Sequence, residues 1–239
     1  MRVPSCLNHS VASFSQLHVN GPRRWAFIDV AALRTNAVTI DAPLDLRGDA
    51  YGHGLEIVLS SLNPREIYVS TLDDLALAKR HGFFASIPPA SQEVSADDTE
   101  ALFLGPTGGI MTLTGEVVNV KDVPAGAHIS YGYTYTTDRP STLALVTLGY
   151  ADGVPRRASN IAPADIAGQR GLIAGRIAMD QLVVRLDPTE LSLGTGATLF
   201  GGGPGQTPLR DWAKMLDINP LAVTSALSAR VMRIPGEEA

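Results

Sequence analysis

The hydrophobic pattern of the chain changes its period near residues 90–109, a segment rich in Ser, Asp, Gly and Pro. Upstream of this segment, short apolar stretches alternate with helical stretches, as in βαβ units that build a parallel sheet. Downstream, apolar and polar residues alternate with a period of two, which is typical of strands with one buried face. The pattern therefore predicts an α/β part followed by a mostly β part.

The upstream part has room for only two or three βα units. Strands are predicted at residues 25–30, 44–47, 66–70 and 83–87, and helices at 31–40, 55–62 and 72–79. Asp29 and Thr71 are expected to cap the helices that follow them. A closed eight-fold β/α barrel takes about 250 residues, whereas about 80 are present before the boundary segment. An incomplete parallel sheet leaves an unpaired edge, which predicts self-association or poor solubility.

The downstream part is predicted to contain many short strands and to end in helices. The strands are expected at residues 110–120, 143–149, 172–177, 182–186 and 197–200, with turn residues between them. Two helices, at 209–216 and 221–229, precede a last strand at 231–234. Residues 90–109 are expected to be a boundary between the two parts.

The bulk properties exclude several classes of protein. A net charge of −5 with scattered basic residues disfavours nucleic acid as a partner. The single cysteine, Cys6, cannot form an internal disulfide, which favours a cytoplasmic location. No apolar run approaches the roughly 18 residues that span a bilayer, so no membrane partner is expected. Residues 1–24 lack the apolar segment of a secretory signal and are expected to be a disordered leader.

One short segment combines a strand end, glycines and chemically useful side chains. It runs from residue 45 to residue 54 and reads DLRGDAYGHG. This segment resembles the turn that holds pyridoxal phosphate (PLP) in the alanine racemase family. Further stretches resemble the same family in the correct order, at residues 28–29, 69–71, 130–132, 149–153, 175–181 and 228–233. The resemblance covers both ends of the family pattern, while the barrel strands three to eight are missing between Ile87 and Ile110.

The resemblance implies a fold and a division of the chain. The fold class is α/β plus β: an incomplete (β/α) barrel fragment followed by the mostly β C-terminal domain of alanine racemases. The implied domains are residues 25–105 and 106–235, after the leader of residues 1–24. The family interconverts L-alanine and D-alanine through PLP and is dimeric, so alanine, PLP and a second copy of the chain are the implied partners.

The resemblance also implies roles for individual side chains. Tyr131 matches the acid/base tyrosine that the family supplies from the partner subunit, and Tyr51 matches a contact to the cofactor phosphate. Met179, Asp180 and Tyr150 match residues of the substrate pocket and its entrance. An isolated phenol has a pKa near 10, so Tyr131 needs a neighbour to act as a base. Tyr51 could instead simply pack against the end of the sheet.

Arg47 occupies the position of the lysine that forms the Schiff base in the family. A guanidinium stays protonated, so it neither attacks an aldehyde nor acts as a base near neutral pH. The three lysines, Lys79, Lys121 and Lys214, do not lie at the end of a predicted barrel strand. Covalent attachment of PLP is therefore not expected. The residue chemistry favours a degenerate relative whose β domain remains as a folding or dimerisation module, or a non-functional remnant. The alternative is an active racemase that supplies D-alanine for cell-wall synthesis.

Other motifs have simpler interpretations. His53 is expected to be a turn residue with satisfied hydrogen bonds rather than a base. The glycine-rich stretch at 201–205 lacks a following lysine and a strand-loop-helix context, so a hairpin or surface loop is expected there. The remaining histidines show no metal-ligand spacing, and no metal site is predicted.

Overall fold

A computed structural model describes residues 23–89, 91–92 and 94–236; the leader predicted at residues 1–24 therefore lies almost entirely outside the described residues. The first part of the chain alternates strands and helices. Its elements are β1 (Arg24–Asp29), α1 (Val30–Val38), β2 (Leu44–Asp45), α2 (Arg47–Tyr51), α3 (Leu55–Ser61), β3 (Glu66–Tyr68), α4 (Leu72–Arg80), β4 (Phe84–Ser86) and α5 (Ala96–Phe103).

The second part is mostly strand. Its elements are β5 (Met111–Val123), β6 (His128–Ile129), β7 (Tyr135–Thr136), β8 (Ser141–Val146), β9 (Pro163–Ile166), β10 (Gln169–Ile173), β11 (Leu182–Leu186), β12 (Gly196–Phe200), α6 (Leu209–Met215), α7 (Pro220–Ser225) and β13 (Met232–Gly236). Two short 3-10 turns, Tyr150–Asp152 and Arg156–Ala158, follow β8.

Six strands of the second part close into a barrel. In the described residues, the order β12-β9-β10-β11-β8-β5 returns to its start because β5 also pairs with β12. The apolar side chains of the alternating pattern fill the barrel interior. In β11, Leu182, Val184 and Leu186 are buried, while the residues between them are half-buried. Closure removes the unpaired edges that an open sheet of this kind would expose.

Strand β1 joins the sheet of the second part. It runs antiparallel to β5 and parallel to β13. Its hydrogen bonds thus cross the boundary that was predicted at residues 105/106, and the division into domains at that point stays a prediction.

Among the described residues upstream of α5, strands β2, β3 and β4 form a small parallel sheet in that order. Its helices begin where the sequence predicts. The Asp29 carboxylate accepts hydrogen bonds from the backbone N–H groups of Ala31 and Ala32. Thr71 and Asp74 form a reciprocal capping box at the start of α4. The predicted combination of α/β and mostly β structure is confirmed.

Helix α5, at residues 96–103, lies in the segment that looks like a boundary, where the sequence pattern predicted no helix. Ser95 caps the helix by accepting a hydrogen bond from the Asp98 N–H at 3.1 Å. Leu102 and Phe103 are fully buried, and the Asn36 side chain of α1 donates to the Leu102 carbonyl. The helix therefore covers part of the sheet, while β4 remains at the edge with Phe84 exposed.

Helix α7 contacts glycine turns from both parts of the chain. A Cβ at Gly52 would lie 2.0 Å from the Thr224 carbonyl oxygen, and one at Gly153 would lie 2.3 Å from that of Ala226. Arg233 adds a polar clamp, because its guanidinium donates to the Gly52 and Leu227 carbonyls. These close backbone approaches explain why glycine is required at both turns.

We expect Gly52→Ala to destabilise the protein far more than Gly48→Ala. Both residues have positive φ, +80° and +63°, so each alanine incurs the left-handed penalty of about 1 to 2 kcal/mol. Only at Gly52 does the new Cβ also meet the α7 backbone, whereas nothing lies within 4 Å of a Cβ at Gly48. Urea unfolding of the two variants measures the difference, and equal losses would contradict the packing of α7 on this turn.

Candidate functional site

The turn after β2 is left-handed. Gly48, Asp49 and Ala50 have φ angles of 63°, 57° and 53°, and Tyr51 also has a φ of 53°. Residues other than glycine pay about 1 to 2 kcal/mol each for this conformation, so surrounding contacts must hold it. Two such contacts are visible. The Gly48 N–H donates to the Ser70 hydroxyl at 2.8 Å, and the Asp49 carboxylate accepts from the Leu55 N–H at 2.7 Å.

Asp45, Arg47 and Tyr51 form a closed polar triad at this turn. The Arg47 guanidinium donates to both Asp45 carboxylate oxygens, from Nε and Nη2, at 2.8 Å each. The Tyr51 hydroxyl donates to Asp45 Oδ2 at 2.6 Å, and the Arg47 backbone N–H donates to Oδ1 at 3.2 Å. The Asp45 side chain is 1% exposed and that of Arg47 is 38% exposed. Each of the three side chains therefore has its main polar partner within the triad.

The triad fixes the charge state of its members. Burial disfavours the Asp45 carboxylate, but the hydrogen bonds from Arg47 and Tyr51 outweigh that cost and lower its pKa. The hydrogen bonds to Asp45 raise the pKa of Arg47 further above its already high ordinary value. Burial, together with the hydrogen bond to Asp45, raises the pKa of Tyr51 to about 12. At neutral pH the triad is thus a carboxylate held by a guanidinium and a neutral phenol.

His53 is a buried structural residue of the same turn. Its Nδ1 lies 2.9 Å from the Ala50 carbonyl oxygen, which assigns the ring proton to Nδ1. The ring stacks on Phe103 of α5 at a centroid distance of 4.3 Å. Its Nε2 is buried and unpartnered in the described part of the chain. Burial lowers the pKa of His53 to about 4. The expected role as a turn residue agrees with this geometry, except that one ring nitrogen has no hydrogen bond.

Tyr150, Met179 and Asp180 lie together on the second part of the chain. The backbone N–H groups of Tyr150 and Ala151 donate to the carbonyls of Ala178 and Met179, each at 3.0 Å. Tyr150 and Met179 are both partly exposed, and the Arg156 guanidinium lies 5.4 Å from the centre of the Tyr150 ring. The turn after β8 and the turn between β10 and β11 thus form one surface.

An ion network anchors this surface. The Arg230 guanidinium contacts the Asp180 carboxylate at 2.6 Å and the buried Asp152 carboxylate at 3.2 Å. Arg24 of β1 contacts the same Asp152 oxygen at 3.1 Å. Asp152 also accepts a hydrogen bond from the Gly149 N–H at 2.8 Å. The carboxylate of Asp180 is therefore engaged with a cation of its own chain.

Tyr131 lies on the loop between β6 and β7. Its side chain is 89% exposed. Ser130 and Tyr133 of this loop have positive φ angles of 65° and 48°, and the Ser130 hydroxyl donates to the Arg176 carbonyl at 2.8 Å. The loop therefore has a defined backbone conformation and directs the Tyr131 side chain toward solvent. Within the described residues, no hydrogen bond or ion pair connects Tyr131 with Arg47 or Tyr51, and the neighbour of this loop at Gly132 is Arg176.

Comparison with known proteins assigns the family. Residues 110–235, more than half of the 239 residues, match the family described as alanine racemase, C-terminal domain. The chain belongs to the alanine racemase family. The first part is accordingly a fragment of the (β/α) barrel, and the expectation of an incomplete barrel followed by the family's C-terminal domain is confirmed.

Individual relatives are matched over only part of their length. The alanine racemase of Salinispora arenicola is 38% identical over 215 residues, which are 86% of this chain and 57% of the relative. That of Salinispora tropica is 50% identical over 125 residues, which are 52% of this chain and 34% of the relative. This chain thus spans little more than half, or about a third, of these alanine racemases.

Solved structures share the fold. The alanine racemase of Streptomyces lavendulae aligns with a TM-score of 0.73 at 19% identity, covering 92% of this chain and 99% of that chain. The alanine racemase of Bartonella henselae, solved with covalently bound PLP, aligns with a TM-score of 0.74 at 16% identity, covering 89% and 99% of the two chains. Identities this low establish the likeness of fold alone.

The residues at the turn do not fit the PLP that the family implies. The guanidinium of Arg47 cannot bond covalently to the cofactor aldehyde. The Tyr51 hydroxyl, which is expected to contact the phosphate, donates to Asp45 instead. The buried Asp45 carboxylate already occupies the Arg47 and Tyr51 donors that an anionic phosphate would need. The described residues further contain no group of three or more His, Cys, Asp or Glu that could hold a metal ion.

Several residues of the site were not singled out from the sequence. Asp45 ends β2 two positions before Arg47, and an acid this close to the arginine was a usable signal for an ion pair. Asp152, Arg230 and Arg233 lie within matched stretches but gain their partners from distant segments, and Phe103 belongs to the helix that the boundary interpretation overlooked.

No helix in the described ranges is long and apolar enough to cross a membrane.

We expect acid to destabilise the protein through His53. The ordinary pKa of 6.5 falls to about 4 in the fold, so folding favours the neutral ring. This contribution is fully present above pH 6.5 and is lost as the pH falls from 6.5 toward 4. At about 1.4 kcal/mol per pKa unit, the loss amounts to about 3 kcal/mol. Urea unfolding between pH 7 and pH 4 measures it.

His53→Asn should remove that pH dependence, because the amide can still donate to the Ala50 carbonyl but does not titrate. The matched control is His128→Asn, at an exposed position of β6, which should retain the acid-sensitive slope of the wild type. An unchanged slope in His53→Asn would exclude His53 as its source.

Proposed function

We propose that this chain is a non-racemising member of the alanine racemase family whose C-terminal domain serves as an association module. The observation that supports the first half is the Arg47–Asp45 pair. At the position where the family uses a lysine, this chain has a guanidinium with two hydrogen bonds to a buried carboxylate. The degenerate interpretation of the sequence is thereby strengthened by a contact that the sequence did not reveal.

The chemistry of racemisation requires a group on each face of the substrate α-carbon. One removes the α-proton and the other returns a proton to the opposite face, while PLP acts as the electron sink. Arg47 stays protonated and cannot accept the α-proton. Tyr51, with its pKa raised to about 12, cannot replace it as a base near neutral pH. The triad therefore supplies neither a covalent anchor nor a base.

The alternative is an active racemase that forms D-alanine for cell-wall synthesis. It is favoured by the retention of Tyr131, Tyr150, Met179 and Asp180 at positions that match the family, all on the second part of the chain. These residues would need a lysine from another source. The three lysines of this chain lie in α4, β5 and α6, away from the end of β2.

We expect the purified chain to form no D-alanine from L-alanine and to show only partial, nonspecific labelling of its exposed lysines, with no lysine labelled stoichiometrically. The chain is incubated with excess PLP, reduced with borohydride and digested, and its lysine peptides are measured by mass spectrometry. D-alanine is measured in parallel by chiral chromatography. The alanine racemase of Salinispora arenicola, treated identically, is the positive control. Turnover together with one stoichiometrically labelled lysine would establish the alternative and overturn the proposal.

The second half of the proposal concerns self-association. The Tyr131 loop, Tyr150 and Met179 present aromatic and apolar side chains to solvent, and Tyr133 on the same loop is 70% exposed. Large exposed side chains that cluster on one surface are typical of protein–protein contacts. Tyr131 also matches a family residue that meets a partner subunit. This match supports the same surface as the site of self-association. A cytoplasmic homodimer is thus the state we propose.

We expect light scattering to give a mass of about twice 25.2 kDa for the wild-type chain. Tyr131→Asp combined with Met179→Asp should shift the protein toward the monomer, since both changes introduce charge into the contact surface. Val38→Asp is the matched control, because Val38 is also an exposed apolar residue but lies on α1 of the first part. A wild-type monomer, or an equal response to all variants, would refute the assignment of this surface.

A further inference from the structure

Asp45 has an environment that neither strand formation nor the family resemblance accounts for. Its carboxylate is buried at the end of β2 and accepts four hydrogen bonds, two from the Arg47 guanidinium, one from the Arg47 backbone N–H and one from the Tyr51 hydroxyl. A buried carboxylate is expensive unless such partners compensate it. The Arg47 guanidinium and the Tyr51 hydroxyl therefore already bind an anion, the Asp45 carboxylate of the same chain.

We propose that Asp45 is the residue that excludes phosphorylated ligands from this turn, acting as a built-in anion for Arg47 and Tyr51. This inference rests on the proposed function, since it explains the loss of the cofactor by a second change besides the arginine. It gives Asp45 a role in ligand specificity that is separate from the absence of a lysine amine at position 47.

The first step of the argument is the engagement of the donors. A phosphate that bound Arg47 or Tyr51 would have to break their hydrogen bonds to Asp45. The carboxylate would then be left buried without its partners, which is the costly outcome for an ion pair of this kind. Arg47 is partly exposed, but its two best-directed donors, Nε and Nη2, both point to Asp45. The built-in pair is thus favoured over an external anion.

The second step is charge. The hydrogen bonds from Arg47 and Tyr51 keep Asp45 ionised at neutral pH. A phosphorylated aldehyde brings negative charge toward the same turn, and like charges at short range disfavour each other. Asp49 adds a second carboxylate on the adjacent position of the turn, where it is bound to the Leu55 N–H. The charges of Arg47 and the nearby Arg233 are thus offset by two carboxylates, so the turn has no excess positive charge with which to attract an anionic ligand.

A consequence follows for any attempt to restore the lysine. A lysine at position 47 would keep Asp45 as its neighbour, and an adjacent opposite charge raises the pKa of an amine. Condensation with an aldehyde needs the neutral amine, which attacks the carbonyl carbon with loss of water. Arg47→Lys by itself should therefore remain poorly reactive, while removal of the Asp45 charge should release the amine.

The test compares Arg47→Lys with the double variant Asp45→Asn/Arg47→Lys. Each is incubated with PLP at neutral pH and reduced with borohydride, which converts the condensed product to a stable secondary amine, and the peptide containing residue 47 is quantified by mass spectrometry. We expect at least about tenfold more labelled Lys at position 47 in the double variant, because a neighbouring opposite charge shifts a pKa by about 1 to 3. Pyridoxal without the phosphate, used as a second probe, should show a smaller gain.

A matched control separates Asp45 from a general change of charge. Asp41→Asn/Arg47→Lys removes one exposed carboxylate shortly before β2 and should label no more than Arg47→Lys. Equal labelling of Arg47→Lys and the Asp45 double variant would overturn the inference, as would equal labelling of the two double variants. Circular dichroism establishes that each variant is folded.

A second measurement needs no change at Asp45. In Arg47→Lys, the pH at which labelling of residue 47 reaches half its maximum should lie above the values for Lys79, Lys121 and Lys214 in the same sample. A midpoint at or below theirs would refute the role of Asp45 even if the double variants fail to fold. Failure of the proposed function is separate, because it would appear as racemase activity and a stoichiometrically labelled lysine in the wild-type chain.

Discussion

The interaction on which the candidate site depends is the bond between the Arg47 guanidinium and the buried Asp45 carboxylate. A carboxylate at the end of a parallel strand cannot remain buried without compensation. Here the compensation comes from the arginine two residues later and from Tyr51, both brought close by the turn that follows β2. The charge state of the triad and the loss of donors for an external ligand follow from that requirement.

The left-handed turn is in turn supported by the far end of the chain. Arg233 donates to the Gly52 carbonyl, and the α7 backbone approaches Gly52 so closely that no side chain fits. The same helix contacts Gly153 beside Tyr150, while Arg230 binds Asp180 and Asp152. Residues 219–233 therefore set the relative position of the triad and of the surface that contains Tyr150 and Met179. Both groups depend on one short C-terminal segment.

Local sequence rules predicted much of the fold. Asp29 and Thr71 cap their helices as expected, and the strands of the barrel lie within a few residues of the alternating segments. The rules missed β9, which contains a proline and few apolar residues, and α5, whose capping serine was hidden in a polar segment. They also missed the left-handed turn, because Ala50 and Tyr51 have no intrinsic preference for positive φ and adopt it only under tertiary constraint.

The sequence by itself determined that the position of the family lysine holds an arginine, and hence that no covalent cofactor bond is expected there. It also determined the family, through motifs that are local and ordered. Only the tertiary structure decided that Arg47 and Tyr51 are bound to Asp45, that α5 brings Phe103 against His53, and that Tyr131 faces solvent. The physical reason is that hydrogen bonding and burial depend on which distant segments meet, and short-range periodicity contains no information about those meetings.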